Sequence, residues 1–287
     1  MSNNSTFVER YGPWAIIAGA SDGLGAELAR EAARKGLNCV LVARRLNKLE
    51  ELAEELRREY GVEALARPLD LMDADAPARL EAIADEVDVG LYVVNAGGDT
   101  VQTAFLESDM ERWQSLIGRN VINLTSSLHR FGRRFVARGS GGMAVIGSDA
   151  ALNGAGRLSI YSASKAYALN LIESIWAELK PHNVDAVFLV IGTTDTPKLR
   201  GLMTLRGVPP EEIVMGKPAD IAAWALADLT QGPTLVFDVD NDDTDPLHGP
   251  AGRRRRVARN TRILDFFYGD PGVDIEAEGL KSGRSWK

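Results

Sequence analysis

The chain carries one cysteine, Cys39, in 287 residues. An internal disulfide is therefore excluded, and the setting of that cysteine in "NCVLVA" reads as a buried strand in which the thiol is a small core side chain. Such usage suits a reducing compartment. Long hydrophobic runs are missing as well: nothing approaches the ~20 apolar residues of a membrane-spanning helix. The opening "MSNNSTFVERYG" lacks the basic-then-apolar order of a secretory leader, so the expectation is a cytoplasmic protein with no membrane span. Positive charge is also in deficit. The formal net charge of −7 repels nucleic acid and anionic lipid at long range, and neither is expected as a partner. No internal repeat or low-complexity linker divides the chain.

What is present is alternation. Short runs rich in Val, Ile and Leu fall at 14–19, 38–43, 63–69, 90–95, 141–148, 184–192 and 234–239, with amphipathic stretches at 24–35, 46–60, 74–86, 109–138, 160–181 and 218–230. This is the pattern of repeated βα units around a parallel sheet buried on both faces. The fold class is α/β, a doubly wound Rossmann arrangement with one seven-stranded sheet. In "RLNKLEELAEELRREYG" the apolar positions Leu46, Leu49, Leu52, Ala53 and Leu56 recur at helical spacing, and Gly61 is a stop signal. Residues 1–240 read as one dinucleotide-binding catalytic domain and 241–287 as a C-terminal extension carrying one helix.

The first strand runs into "AGASDGLGAELAR", which sets Gly19, Gly23 and Gly25 at a strand-to-helix junction. A dinucleotide site uses glycines there for a tight turn, for close approach of backbone to pyrophosphate and for helix-on-strand packing. A tight turn alone also uses glycine. No Gly-Lys-Ser/Thr follows, so the turn is not a P-loop. An NAD-type site carries an acid about 20 residues on, at the end of the second strand; here "VARR" stands instead. Arg44 and Arg45 suit the 2′-phosphate of NADP(H), with Ser21 as a further donor, whereas Asp22 opposes an added phosphate unless it points away. Two solvated arginines at a helix start are the plainer alternative. Asp70 follows the third strand, either meeting adenine or capping a helix. Asn95, Ala96 and Gly97 follow the fourth, where small residues let a flat nucleotide lie on backbone.

"YSASK" places Tyr161 and Lys165 on one helix face. Alone they are an ordinary surface pair. Ser148 ends the fifth strand 13 residues earlier, and Asn120 lies in "WQSLIGRNVINL" on the preceding long helix. Glycine turn, Asp70, "NAG", Asn120, Ser148, "YSASK" and a Gly-Thr loop at 192–196, in this order, resemble the short-chain dehydrogenase/reductase family over roughly residues 12–240.

The resemblance implies a catalytic set of Asn120, Ser148, Tyr161 and Lys165. Tyr161 exchanges a proton with the substrate oxygen, Ser148 holds that oxygen, Lys165 binds the nicotinamide ribose and lowers the tyrosine pKa, and Asn120 holds a relay water. It also implies cofactor contacts from Leu24 beside the turn, Leu71 beside Asp70, and Gly192, Thr194 and Thr196 after the sixth strand. Members commonly pair through the two long helices, so a homo-oligomer, dimer or tetramer, is expected. The chemistry needs the lysine: a free phenol at neutral pH is ionised to roughly one part in a thousand, and bringing its pKa near 7 takes about 4 kcal/mol.

Ile191 stands where the family commonly has proline, leaving the 192–196 backbone less fixed, and Val94 replaces an asparagine often seen before "NAG". "GASDGLG", "ELKPHNVDAVFLVIGTTDTP" and the arginine after the second strand are most similar to the branch of 17β-hydroxysteroid dehydrogenases and 3-ketoacyl reductases, where NADPH preference is usual. In the segment 193–217, Leu199, Leu202, Met203, Leu205, Val208 and Met215 either line a substrate lid or cover the sheet. As a lid they favour an apolar ketone or alcohol, steroid, fatty-acyl or polycyclic. "DVDNDDTD" lacks the glycine and terminal acid of a calcium loop, so no metal is expected, and Arg253 to Arg256 read as a solvated helix face. A catalytically silent nucleotide sensor on the same fold is the competing class, but it has no need of the phenol. Epimerisation or dehydration with the same cofactor commonly requires a larger substrate domain.

Overall fold

The computed structural model describes residues 3–98, 101–227 and 229–237. Its centre is a seven-stranded sheet of β1 (Trp14–Ala18), β2 (Asn38–Ala43), β3 (Ala64–Pro68), β4 (Val89–Val94), β5 (Gly141–Ile146), β6 (Val184–Ile191) and β7 (Thr234–Phe237). All pairings are parallel, in the order β3-β2-β1-β4-β5-β6-β7. The central strands β1, β4 and β5 are buried along their whole length because both faces are covered, whereas the edge strands β3 and β7 are only partly buried. Successive residues serve opposite layers: Ile17, Leu41 and Leu91 pack into one core, while Ile16, Val40 and Tyr92 pack into the other.

The first core is roofed by α2 (Gly23–Arg34), α3 (Leu46–Tyr60) and α9 (Pro218–Ala227), through Leu28, Leu49, Leu56 and Leu226. The second lies under α4 (Ala76–Ala84), α6 (Leu124–Arg138) and α7 (Ser159–Leu179), through Leu80, Phe131 and Ile172. Tyr92 and Phe131 stack there with centroids 3.9 Å apart. Cys39 is fully buried, and burial pushes its thiol up to about 12. No helix among the described residues is long and apolar enough to cross a membrane.

Three features depart from the sequence pattern. An N-terminal helix, α1 (Asn3–Tyr11), closes the amino edge of the sheet, where the Tyr11 hydroxyl and Arg10 Nε both donate to Asp185 Oδ2 at 2.6 Å. The segment expected as one long helix over 109–138 is α5 (Met110–Ile117), a π turn (Gly118–Asn123) and α6. The cause is a pull from outside: Asn123 Nδ2 donates to the carbonyls of Leu71 and Asp73 at 3.2 and 2.8 Å, tying the widened turn to the loop after β3. In the expected lid, α8 (Pro197–Arg206) forms, and Met203, Val208 and Ile213 make a small core of their own while Leu205 stays exposed. The acidic loop and the arginine run of the C-terminal extension lie outside the described residues.

Candidate active site

The sheet order reverses between β1 and β4, and there the carboxyl ends of the strands open a crevice. The turn after β1 is sewn to its neighbour: Asn95 N and Ala96 N donate to the Ala18 carbonyl at 3.0 Å, and Asn95 Nδ2 donates to the Gly19 carbonyl at 3.1 Å. Asn95 is thus a brace of the turn. Gly25 is required by close approach, because a Cβ there would lie 2.0 Å from the Gly19 oxygen. Leu24 is buried beside it. Asp22 caps α2, accepting from Gly23 N at 2.8 Å with one oxygen and from Arg45 Nη2 at 3.3 Å with the other. It thus draws on Arg45, the guanidinium a 2′-phosphate would use, and the objection it raised to a phosphate becomes a competition between acid and ligand for that side chain.

A cleft of about 270 Å³ opens beside this turn. Four loops line it: Gly19 and Ser21 after β1, Arg44 and Arg45 after β2, Asp70 and Leu71 after β3, Ala96 and Gly97 after β4. Arg45 Nη2 also donates to Ser21 Oγ at 3.1 Å, and Arg44 approaches Asp70 at 4.0 Å. Asp70 serves locally too, accepting from Met72 N at 3.0 Å. A glycine turn without room for a side chain, leading to a rim of hydroxyl and guanidinium donors, fits a dinucleotide carrying an extra phosphate ester.

Behind Gly97 the cleft meets a smaller cavity lined by Asn120, Lys165 and Arg119. Asn120 sits in the π turn, the kind of local widening often found at functional positions. It is buried and donates through Nδ2 to Ser164 Oγ at 3.3 Å, and Ser164 donates to the Tyr161 carbonyl at 2.7 Å. Tyr161 lies in the first turn of α7, half-buried. Lys165, one turn on, is 7% exposed, with Nζ 5.7 Å from the centre of the Tyr161 ring and donating to the Ile146 carbonyl at 2.9 Å. Burial first, then the nearby Arg119 charge, bring its pKa down to about 8. Gly97 suits this place through its backbone, whose φ of +137° is one that L side chains rarely adopt, and its Cβ direction points to within 3.5 Å of both Asn120 Oδ1 and Lys165 Nζ.

Ser148, two residues past β5, donates to Asp149 Oδ1 at 2.9 Å and accepts from Ala150 N at 3.2 Å. After β6, Gly192 borders a separate small cavity with Asp149, and Thr194 donates to the Gly192 carbonyl at 3.1 Å. Thr196 caps α8 and packs against the glycine turn, its methyl 3.4 Å from where a Cβ of Gly23 would be. Arg119 escaped the sequence reading. The signal was a basic residue directly before Asn120, hidden within an amphipathic stretch where charge reads as solvated face.

The family model for short chain dehydrogenases matches residues 13–204. The chain belongs to that family. It is accordingly an oxidoreductase working between alcohols and ketones. Among relatives of this short-chain dehydrogenase, a 7beta-hydroxysteroid dehydrogenase of Mediterraneibacter gnavus is 31% identical over 214 residues, 73% of this chain and 79% of that one. A very-long-chain 3-oxoacyl-CoA reductase of Podospora anserina is 35% identical over 197 residues, 67% of this chain and 58% of that one. A solved short-chain dehydrogenase from Sphingobium yanoikuyae in complex with NADPH superposes with a TM-score of 0.70 at 29% identity, covering 86% of this chain and 92% of that one.

Proposed function

We propose that this short-chain dehydrogenase interconverts an apolar ketone and its secondary alcohol with NADP(H), using Tyr161 as the proton donor and acceptor. The observation that carries the reading is the clamping of Lys165: a buried amine, held on the end of β5 by Ile146, one helical turn from Tyr161. A lysine titrating near 8 is still mostly cationic at neutral pH. Its charge stabilises the phenolate over the phenol in a site with little water to screen it. Ser148 presents its hydroxyl to the substrate oxygen by turning from Asp149, and Asn120 holds the water through which Lys165 recovers its proton.

Ser21, Arg44 and Arg45 would hold the 2′-phosphate, the α2 N-terminus the pyrophosphate, and Lys165 the nicotinamide ribose, with Thr194 and Thr196 at the carboxamide. When bound, the dinucleotide supplies or takes up the hydride. The relatives' steroid and long-chain acyl substrates support an apolar compound, as do Leu199, Leu202 and Met215 around the small core of the lid, about 193–217. Residues 1–240 make up the catalytic domain in this reading. The apolar groove between α6 and α7, lined by Leu128, Val136, Leu171 and Ile175, supports pairing of two copies there. A free, buried Cys39 is in keeping with a cytoplasmic setting.

The test is consumption of NADPH and of NADH against a panel of steroid, long-chain 3-oxoacyl and sugar ketones. Faster use of NADPH with the apolar members is expected. Preference for NADH would sink the phosphate reading, and comparable turnover of keto sugars would sink the apolar one.

A further inference from the structure

Arg119 has no part in those roles, yet its guanidinium ties Asn120 to the loop after β4. Nε donates to Asn120 Oδ1 at 2.9 Å, and Nη2 donates to the carbonyl of Gly98, just past the bare Gly97. The same side chain borders both the cleft with Ser21, Arg44 and Asp70 and the smaller cavity with Lys165. Asn120 is thereby held at both ends, its oxygen by Arg119 and its nitrogen through Ser164 to the backbone of Tyr161. Ser164 spends its one hydroxyl proton on the Tyr161 carbonyl and meets the amide as an acceptor, so the guanidinium on Oδ1 and the serine on Nδ2 favour the same orientation of the amide.

The groups that face the Lys165 amine come from four elements. Tyr161 lies on its own helix, the Ile146 carbonyl belongs to β5, the Gly97 backbone to the loop after β4, and Asn120 and Arg119 to the π turn. Among the described residues Arg119 is the charged side chain acting on the amine, and it opposes the amine's proton. In a buried site like charges are poorly screened. We propose that Arg119 is a positioning residue that acts through Asn120 and Lys165, orienting the amide by a hydrogen bond and setting, as a neighbouring cation, the charge that Lys165 offers the dinucleotide. The inference rests on the reading of Lys165 as a cofactor ligand.

The test needs no ketone. Dissociation constants for NADPH, from its fluorescence, are measured between about pH 6.5 and pH 10 for the wild type, Arg119→Lys, the two neutral variants Arg119→Gln and Arg119→Met, and Lys165→Met. Wild-type binding is expected to weaken on the alkaline side as Lys165 loses its proton, and Lys165→Met is expected to abolish that limb. Either neutral variant moves the limb upward by about half a pH unit or more, whereas Arg119→Lys leaves it in place. A limb unmoved in a folded neutral variant overturns the proposal. So does a tenfold loss of NADPH affinity at neutral pH with the limb unmoved, which makes Arg119 a direct phosphate ligand. A limb that survives in Lys165→Met sinks the reading of Lys165 itself, and the proposal with it.

Discussion

Lys165 turns its amine away from solvent to donate to the carbonyl of Ile146, the last residue of β5, at 2.9 Å. The contact fixes the tyrosine-bearing helix to the sheet at the cost of burying a cation. The amine titrates near 8 in the folded chain against an ordinary 10.5. Below the folded value the full cost is present, roughly 3 kcal/mol, and it fades as pH rises from 8 to 10.5. Removing the amine also orphans the Ile146 carbonyl, which costs about 1–2 kcal/mol. Lys165→Met is therefore expected to stabilise the apoprotein by about 1–2 kcal/mol at pH 7 while disabling it. Urea melts at neutral pH and near pH 10 check this, the gain shrinking at the higher pH; a destabilised variant at neutral pH contradicts it.

Asp22 and Arg45 pair at 3.3 Å across the mouth of the cleft, each about half exposed. The acid competes with any phosphate for the guanidinium. Asp22→Asn keeps a good helix cap and frees Arg45, so the ratio of NADPH to NADH affinity is expected to rise about three- to tenfold. Arg45→Ala is expected to lower that ratio by a similar factor. Titrating both cofactors at two salt concentrations checks the pair, since a phosphate contact weakens with salt.

Gly25 leaves no space for a methyl group, its Cβ direction ending 2.0 Å from the Gly19 oxygen. Gly25→Ala forces the turn off α2. A loss of about 2 kcal/mol or more in stability is expected, with cofactor affinity down at least tenfold by fluorescence titration.

The sheet was legible because its signal is local: each buried strand is a run of Val, Ile and Leu, and the predicted ranges differ from the observed ones only at their ends. For α3 the range 46–60 agrees at both ends, since heptad-like spacing and Gly61 both speak there. The π turn was hidden because Asn123 makes it by bonding to the loop after β3, a contact no local pattern records. Helix α1 is short and polar, and what holds it is Asp185, far along the chain. The cleft gathered residues from four loops as expected, yet Asn95 braces the turn and Asp22 caps a helix. Residue type and position revealed proximity, and only geometry divided contact from support.

Tyr11 is 2% exposed and gives its hydroxyl to Asp185 at the amino edge of the sheet, opposite the cleft. Tyr11→Phe leaves Arg10 on the same carboxylate and removes one charge-assisted bond. A loss of about 2 kcal/mol, or roughly 4–8 °C in the thermal midpoint, is expected, with cofactor affinity unchanged. Calorimetry beside a fluorescence titration checks both halves.

Tyr161→Phe tests the central claim most directly. The variant keeps the ring against Lys165 and removes only the hydroxyl that carries the proton. With a ketone that the wild type reduces, kcat is predicted to fall by about 10²-fold or more, with NADPH affinity within threefold. Full activity in the folded variant would contradict the assignment of Tyr161 as the proton donor.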